Sequence, residues 1–305
     1  MKKLLSSLLI AGLAFAASAA PKKVLVVSVT TGFRHSSIET AEKIIAKLGN
    51  DSGVFTVDYA RVTPPKAPRK PSAPKESGDA AKDKAAKGKY DTELAQFQAE
   101  EPKFKEAQKS YADDQKKVLA ETMSPAALKN YDAIIFANTT GDLPLPDNQA
   151  FVDWVKAGHG FVAMHSGSDT FHGFKPYIDM LGGEFQTHGA QEIVNCLNVD
   201  PQHPATKHFG ASFDIGGKKE EIYIFKNYLQ KSVRELLVLD KHPNTKESGH
   251  YPISWCRDFG TGKVFYTSLG HNEFVWEMPE YQTHILGGIK WALGLEKSDA
   301  TPQAK

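Results

Sequence analysis

Three short segments concentrate the side chains able to do chemistry. They are Thr30-Thr31-Gly32-Phe33-Arg34-His35, Asn138-Thr139-Thr140-Gly141-Asp142 and His165-Ser166-Gly167-Ser168-Asp169. Each follows a short apolar run that reads as a strand. With those strands parallel, the three segments open on one sheet edge, where α/β folds bind their ligands. Arg34, His35, Asn138, Asp142, His165 and Asp169 then surround one crevice. A histidine there serves as general acid, general base or metal ligand.

The stretch Ala163-Met164-His165-Ser166-Gly167 has the spacing of a nucleophile elbow with His165 at the tip. An imidazole has no hydroxyl or thiol, so acyl-enzyme chemistry of the usual kind is not expected. Ser166 sits beside the tip and is the weaker nucleophile candidate. The competing structural reading of His165 is a hydrogen bond across the loop junction. Further along, Glu184 and His188 lie in GGEFQTH, Glu221 and Tyr223 in EEIY, and His271 follows Gly270. The paired glycines favour a loop or strand there over a helix. There is no HExxH and no paired-His spacing, so a metal site must draw ligands from distant loops. GxGxxG and GxxxxGK[ST] are both absent, which leaves nucleotide binding unsupported. His203 and His242 precede proline and mark extended turns; His242 and His250 read as surface residues.

The elements that must position these loops follow from apolar patterning. Val24 to Val29 is a fully buried strand, and Ile38, Ala41, Ile44, Ile45 and Leu48 form the apolar stripe of a helix capped at Ser36 or Ser37. Phe55 to Ala60 is a second strand. The pattern resumes with a short helix at Ser124-Pro125, strand Ala133–Ala137, helix Pro146–Ala157 and strand Gly160–Met164. Strand-like pieces then crowd together at Glu192–Asn198, Glu221–Phe225, Leu236–Leu239, Ile253–Arg257 and Lys263–Thr267, before a closing helix Tyr281–Leu293. Alternation of this kind predicts a doubly wound, mainly parallel α/β sheet. Residues 64–89 are rich in Pro, Lys and Ala and read as an unstructured, solvated insert. Residues 90–123 read as polar helix split at Pro102 and packed outside the sheet. The division is thus a leader at 1–20, an α/β domain from 21–63 and 124–296, the two inserts, and a flexible tail at 297–305.

The 305 residues carry 37 Lys+Arg against 36 Asp+Glu, 41% hydrophobic and 24% charged residues. That composition supports a large core and excludes wholesale disorder. It also argues against nucleic-acid binding through bulk positive charge. The first twenty residues, MKKLLSSLLIAGLAFAASAA, have the charged start, short apolar stretch and small-residue end of a Sec-type export signal. Beyond it no apolar run reaches the roughly 18 residues of a membrane span, and no Cys near the cleavage site offers a lipid anchor. A periplasmic or secreted protein is expected. Cys196 and Cys256 are the only cysteines; a disulfide and two buried thiols fit equally well.

Taken in order, GFRHSSI, YDAIIFANTTGDLPL, GFVAMHSGSDTFHGFKPYIDMLGGEF with a following His, HPAT, EEIYIF, ISWCRDFGTGKVFYTSLGH and GGIKWALG resemble the ThuA-like (trehalose utilisation) family over about residues 23–62 and 124–295. The resemblance implies a flavodoxin-like fold related to class I glutamine amidotransferases. Those relatives carry Cys at the elbow tip, so His165 implies that amidotransferase chemistry is lost. His35, His165, Glu184, His188, Glu221, Tyr223 and His271 match positions where the family holds the same residue types. Ser166 stands where many members have Ala, which alters the pocket lip. Gly158-His159-Gly160 replaces a triple glycine and adds a surface His. The 64–123 insert is atypical.

The family link to disaccharide catabolism implies a carbohydrate partner, with a 3-keto-glycoside as the substrate expected. A carbonyl at C3 acidifies the adjoining C–H bonds, and a histidine suits the proton abstraction. In that scheme His165 is the base, Glu184 or Glu221 the acid partner, and Arg34 and His271 stabilise the oxyanion. His35, Asn138, Asp142, Ser166, Asp169, His188 and Tyr223 line the substrate. One alternative places a divalent metal such as zinc on His165, His188 and His271 with one carboxylate. Another is a non-catalytic sugar-binding protein, with Phe33, Phe171, Tyr177 or Trp276 stacking on pyranose faces.

Overall fold

The computed structural model describes residues 20–303. The expected leader therefore lies outside the described residues except for Ala20, as do the last two residues of the tail. The chain opens as a strand–helix–strand unit: β1 (Lys22–Val27), α1 (Ile38–Ser52) and β2 (Phe55–Ala60). After α2 (Ala80–Met123) and the short α3 (Pro125–Leu128) come β3 (Ala133–Ala137), α4 (Asn148–Lys156), β4 (Gly160–Met164), α5 (Lys175–Leu181) and β5 (Glu184–His188). Then follow β6 (Asn195–Asn198), β7 (Ser212–Asp214), β8 (Tyr223–Lys226), β9 (Arg234–Lys241), β10 (Ser248–Phe259), β11 (Gly262–Thr267), α6 (Glu273–Glu277) and α7 (Pro279–Ala292).

Among the described residues, nine strands form one sheet in the order β2-β1-β3-β4-β11-β10-β9-β6-β7. The run from β2 to β11 is parallel, and the remaining neighbours pair antiparallel. Strands β1, β3 and β4 are apolar at successive positions because both sheet faces are covered. Val24 and Val26 point to one side, with Ile45, Phe265, Ile285 and Trp291. Leu25 and Val27 point to the other, with Phe136, Phe151, Phe161, Tyr177 and Trp255. The parallel half sends the ends of β1, β3, β4 and β11 to one edge. Strands β5 and β8 form a separate antiparallel pair, Glu184 opposite Lys226 and His188 opposite Tyr223, and their residues help line the pocket at this edge.

Helix α2 departs from the expected two-helix insert. It begins at Ala80, within the stretch expected to lack structure, and runs unbroken through Pro102. Asp79 caps it by accepting the Ala81 and Lys82 amides. Only Gln115, Leu119 and Met123 are buried, yet Tyr90, Phe97, Phe104 and Tyr111 recur every seventh residue. The preceding proline-rich stretch runs back along this stripe: Pro74 lies near Tyr90, Pro71 near Phe97, and Pro65 and Pro68 near Phe104. The prolines supply extended backbone with little entropy to lose, and the aromatic rings supply the apolar surface that composition alone did not reveal. Pro102 removes one helical hydrogen bond, but Gln98, whose carbonyl is freed, is exposed to solvent, and the stripe continues on both sides.

Truncating this stripe with the double change Phe97→Ala, Phe104→Ala should leave the thermal midpoint within about 2 °C of wild type, because neither ring belongs to the two cores. Limited proteolysis between residues 64 and 107 should accelerate about tenfold or more. Unchanged cutting would show that the rings do not hold the proline-rich stretch.

Cys196 and Cys256 are both buried free thiols. They stand on β6 and β10, which β9 separates in the sheet. Burial pushes the Cys196 thiol up to about 12, which removes thiolate chemistry at neutral pH.

Candidate active site and metal centre

The four loops at the parallel edge converge. His165 follows β4 at a left-handed backbone position, φ 44°, and its ring is fully buried. The sharp turn aims it across the sheet end. Its Nδ1 lies 2.8 Å from the Ser268 carbonyl. A carbonyl only accepts, so Nδ1 carries a proton and Nε2 is the ring nitrogen turned to the cluster. His35 comes from the β1 loop, with Nδ1 3.2 Å from the Ser166 hydroxyl. His271 follows β11, and buried Glu220 accepts its backbone amide at 2.6 Å and that of Gly270 at 3.1 Å. Glu221 enters from just before β8.

His165 Nε2 stands 3.2 Å from His35 Nε2, 3.3 Å from His271 Nδ1 and 3.6 Å from Glu221 Oε1. His271 Nδ1 is 3.3 Å from the same carboxylate oxygen. One ligand atom from each of these four residues falls within 4.8 Å of all the others. Tetrahedral zinc with bonds of about 2.0–2.1 Å sets its ligand atoms about 3.3 Å apart. The residues therefore fit a three-histidine, one-carboxylate site for a divalent ion. The contacts behind them also fit, since the Ser268 carbonyl and the Ser166 hydroxyl orient two of the rings through their other nitrogens.

The charge state suits the same role. Burial, followed by repulsion from His165 and His271, holds the His35 pKa down at about 3, so the ring is neutral at pH 7. Burial opposes charge on Glu221, but the His165 and His271 rings beside it outweigh that and keep its pKa well below the usual carboxylate range. At His271 the balance runs the same way: burial disfavours the cation, and Glu221 more than compensates. Metal binding needs neutral imidazole and ionised carboxylate, and Glu221 already provides the negative charge.

The pocket above the cluster has a volume of about 280 Å³ and is lined by His35, Glu221, His271, Asp169, His188, Phe33, Phe185 and Tyr223. Tyr223 covers the His165 ring at 4.3 Å between centroids. Phe33, 68% exposed, stands at the rim edge-on to His35 at 4.9 Å.

Of the residues expected here, His35, Asp169, His188, Glu221, Tyr223 and His271 line the pocket, and His165 and Ser166 lie directly beneath it. Four stand elsewhere. Arg34 donates to the Ser28 carbonyl and to Glu39, which folds it back along its own loop. Asn138 is buried and donates to Ser37 Oγ and the Gly270 carbonyl, so it ties loops together. Asp142 is exposed. Glu184 is turned away and bound by His172, Asn227 and Lys226. His188 is not one of the four clustered ligands; its Nδ1 contacts the other Glu221 oxygen at 3.0 Å. His172 was missed. Its one signal was a place three residues after Asp169, within reach of that carboxylate in a tight turn. His159 stacks on Trp154 at 4.1 Å, away from the pocket.

Comparison with known proteins agrees with this architecture. The profile of the ThuA family, described as trehalose utilisation, matches residues 84–292 and so begins inside α2. The structure resembles a ThuA-like protein from Parabacteroides merdae, with 16% identity, 90% of each chain covered and a TM-score of 0.59. It also resembles one from Bacteroides uniformis, with 18% identity, 92% of this chain and 95% of that one covered, and a TM-score of 0.56. At these identities the two structures speak to the fold alone. No curated protein matches the chain in sequence. Because the family profile spans well over half of the residues and takes in β3, the elbow after β4, Glu221 and His271, the chain belongs to the ThuA (trehalose utilisation) family.

Proposed function

We propose that this protein is a metal-dependent enzyme acting on a carbohydrate, with His35, His165, Glu221 and His271 holding a divalent ion such as zinc. The observation that carries this reading is the convergence of four ligand atoms, brought by four separate segments, at spacings that suit tetrahedral coordination. The family's link to trehalose supports the substrate class. So does the pocket, in which the aromatic faces of Phe33, Phe185 and Tyr223 surround a few polar groups, as sugar sites require. Its volume suits one sugar ring.

A 3-keto-glycoside is the substrate class proposed. A bound ion would polarise the ketone oxygen. The chain's own groups would hold the ring against the aromatic faces and take the acidified proton beside the carbonyl. His188, half-exposed at the rim with its Nδ1 3.0 Å from Glu221, is the group proposed to do so. A second reading keeps the same residues without an ion, with His165 Nε2 as base. The Glu221 pairs with His188 and His271 favour it. Residues 1–20 are part of the proposal as an export leader.

Metal analysis separates the two readings. Protein incubated with zinc and dialysed should retain about one ion per chain, and its thermal midpoint should fall when a chelator is added. Glu221→Gln should weaken binding at least tenfold by calorimetry. Less than a tenth of an equivalent of zinc, cobalt or manganese would remove the metal from the mechanism.

A further inference from the structure

His172 bridges the pocket just described and a second cavity. Its Nε2 lies 2.5 Å from Asp169 Oδ1, and Asp169 lines the first pocket. Its Nδ1 lies 2.6 Å from Glu184 Oε1, and Glu184 lines a neighbouring cavity of about 560 Å³. Carboxylates facing both ring nitrogens at these distances call for a proton on each nitrogen. Glu184 is held as the anion: Lys226 Nζ stands 3.2 Å from Oε1, and Asn227 donates to Oε2 at 2.8 Å. Lys175 and Asp179 also line the second cavity, paired with each other. The His172 side chain is 38% exposed, so its proton can be replaced from solvent.

We propose that Asp169, His172 and Glu184 form a proton-delivery chain, in which Asp169 protonates the departing oxygen of the substrate and His172 positions and recharges it. The inference rests on the first pocket being catalytic and assigns the acid which that reading lacks. The step balances. The His172 imidazolium passes its Nε2 proton to the Asp169 carboxylate. The resulting carboxylic acid gives that proton to the glycosidic oxygen as its bond to the sugar carbon breaks, while the electron pair left by the proton taken beside the carbonyl forms a carbon–carbon double bond to that carbon. Neutral His172 keeps its Nδ1 proton on Glu184 and regains the other from water. No oxidant or further reactant is needed. Burial works against a charged His172, but hydrogen bonds to Asp169 and Glu184 outweigh it and raise its pKa, which favours the protonated ring.

The turnover test compares leaving groups. With 3-keto-glucosides as probes, Asp169→Asn should slow release of an alkyl alcohol by about 10²–10⁴-fold, the usual size of an acid–base contribution. Release of 4-nitrophenolate, which needs no proton, should change less than tenfold. His172→Gln should act in the same direction more weakly and flatten the alkaline limb of the kcat/KM profile. Equal losses for both leaving groups would overturn the assignment of Asp169 as acid. A second measurement does not depend on turnover. Nitrogen NMR of His172, assigned by its absence in His172→Gln, should show both ring nitrogens protonated at pH 7, with the pKa falling in Asp169→Asn. A neutral ring at pH 7 would overturn the chain. Should no keto-glucoside react, the proposed substrate falls while this measurement still decides whether the chain exists.

Discussion

His165→Ala should lose both metal binding and turnover. Zinc held by four protein ligands is worth about 10–16 kcal/mol in structural sites, so one ligand of four accounts for roughly 3 kcal/mol, or about 100-fold in affinity. Turnover should fall about 10³-fold or more, since the same ring lies at the centre of the cluster, within 3.6 Å of His35, His271 and Glu221. His165→Asn is the control for folding, because Asn accepts left-handed backbone readily. Both variants should keep the wild-type circular dichroism. Full zinc retention by His165→Ala would show that this imidazole is not a ligand.

The second large effect is on stability in mild acid. His203 and His284 are fully buried, burial holds them down to about 4 and about 3, and burial likewise holds His35 at about 3. Each has a folded pKa below its unfolded value of 6.5. Their contributions are therefore complete above pH 6.5 and are lost as the pH falls below it, because only the unfolded chain takes up the proton. From pH 6.5 to 5 the loss is about 1.6 kcal/mol for each, or about 5 for the three, against a typical total of 5–15 kcal/mol. His172 and His271, raised by their carboxylates, act oppositely. Their contributions are complete below pH 6.5 and are lost as the pH rises through their folded values. Buried Glu220, raised chiefly by desolvation, offsets part of the acid loss. Stability of the metal-free protein should thus peak near pH 6.5. Urea unfolding at pH 7.5, 6.5 and 5.0 checks this, and His284→Gln should remove about a third of the drop. Equal midpoints at pH 6.5 and 5.0 would contradict it.

The parts of the fold legible in the sequence are those set by local patterning. Phe55–Ala60, Ala133–Ala137 and Gly160–Met164 are strands at the expected residues, because the last two are unbroken apolar runs and the first alternates apolar and polar residues with period two. The loops after β1, β3 and β4 do meet at one edge, since parallel neighbours leave them no other. Short elements escaped. β7 spans three residues, and α5 spans seven, with Pro176 in its first turn; both take their order from tertiary contacts. The site was legible in residue type more than in direction. Glu184 and Glu221 looked equivalent, but the register of β5 on β8 sets Glu184 opposite Lys226, while Glu221 sits just outside that pairing and turns to the histidines. Arg34 was drawn off by Glu39, five residues away, a partner that the loop's composition does not announce.

The left-handed backbone at His165 sets two selections against each other. A residue with a Cβ gives up about 1–2 kcal/mol at such an angle, and glycine gives up almost none. A library at this position sorted only for heat resistance in the presence of a chelator should therefore drift toward Gly and Asn. One sorted for catalysis should return His and accept the lower melting point. The tight bend that presents the imidazole thus marks a position where durability and chemistry favour different amino acids.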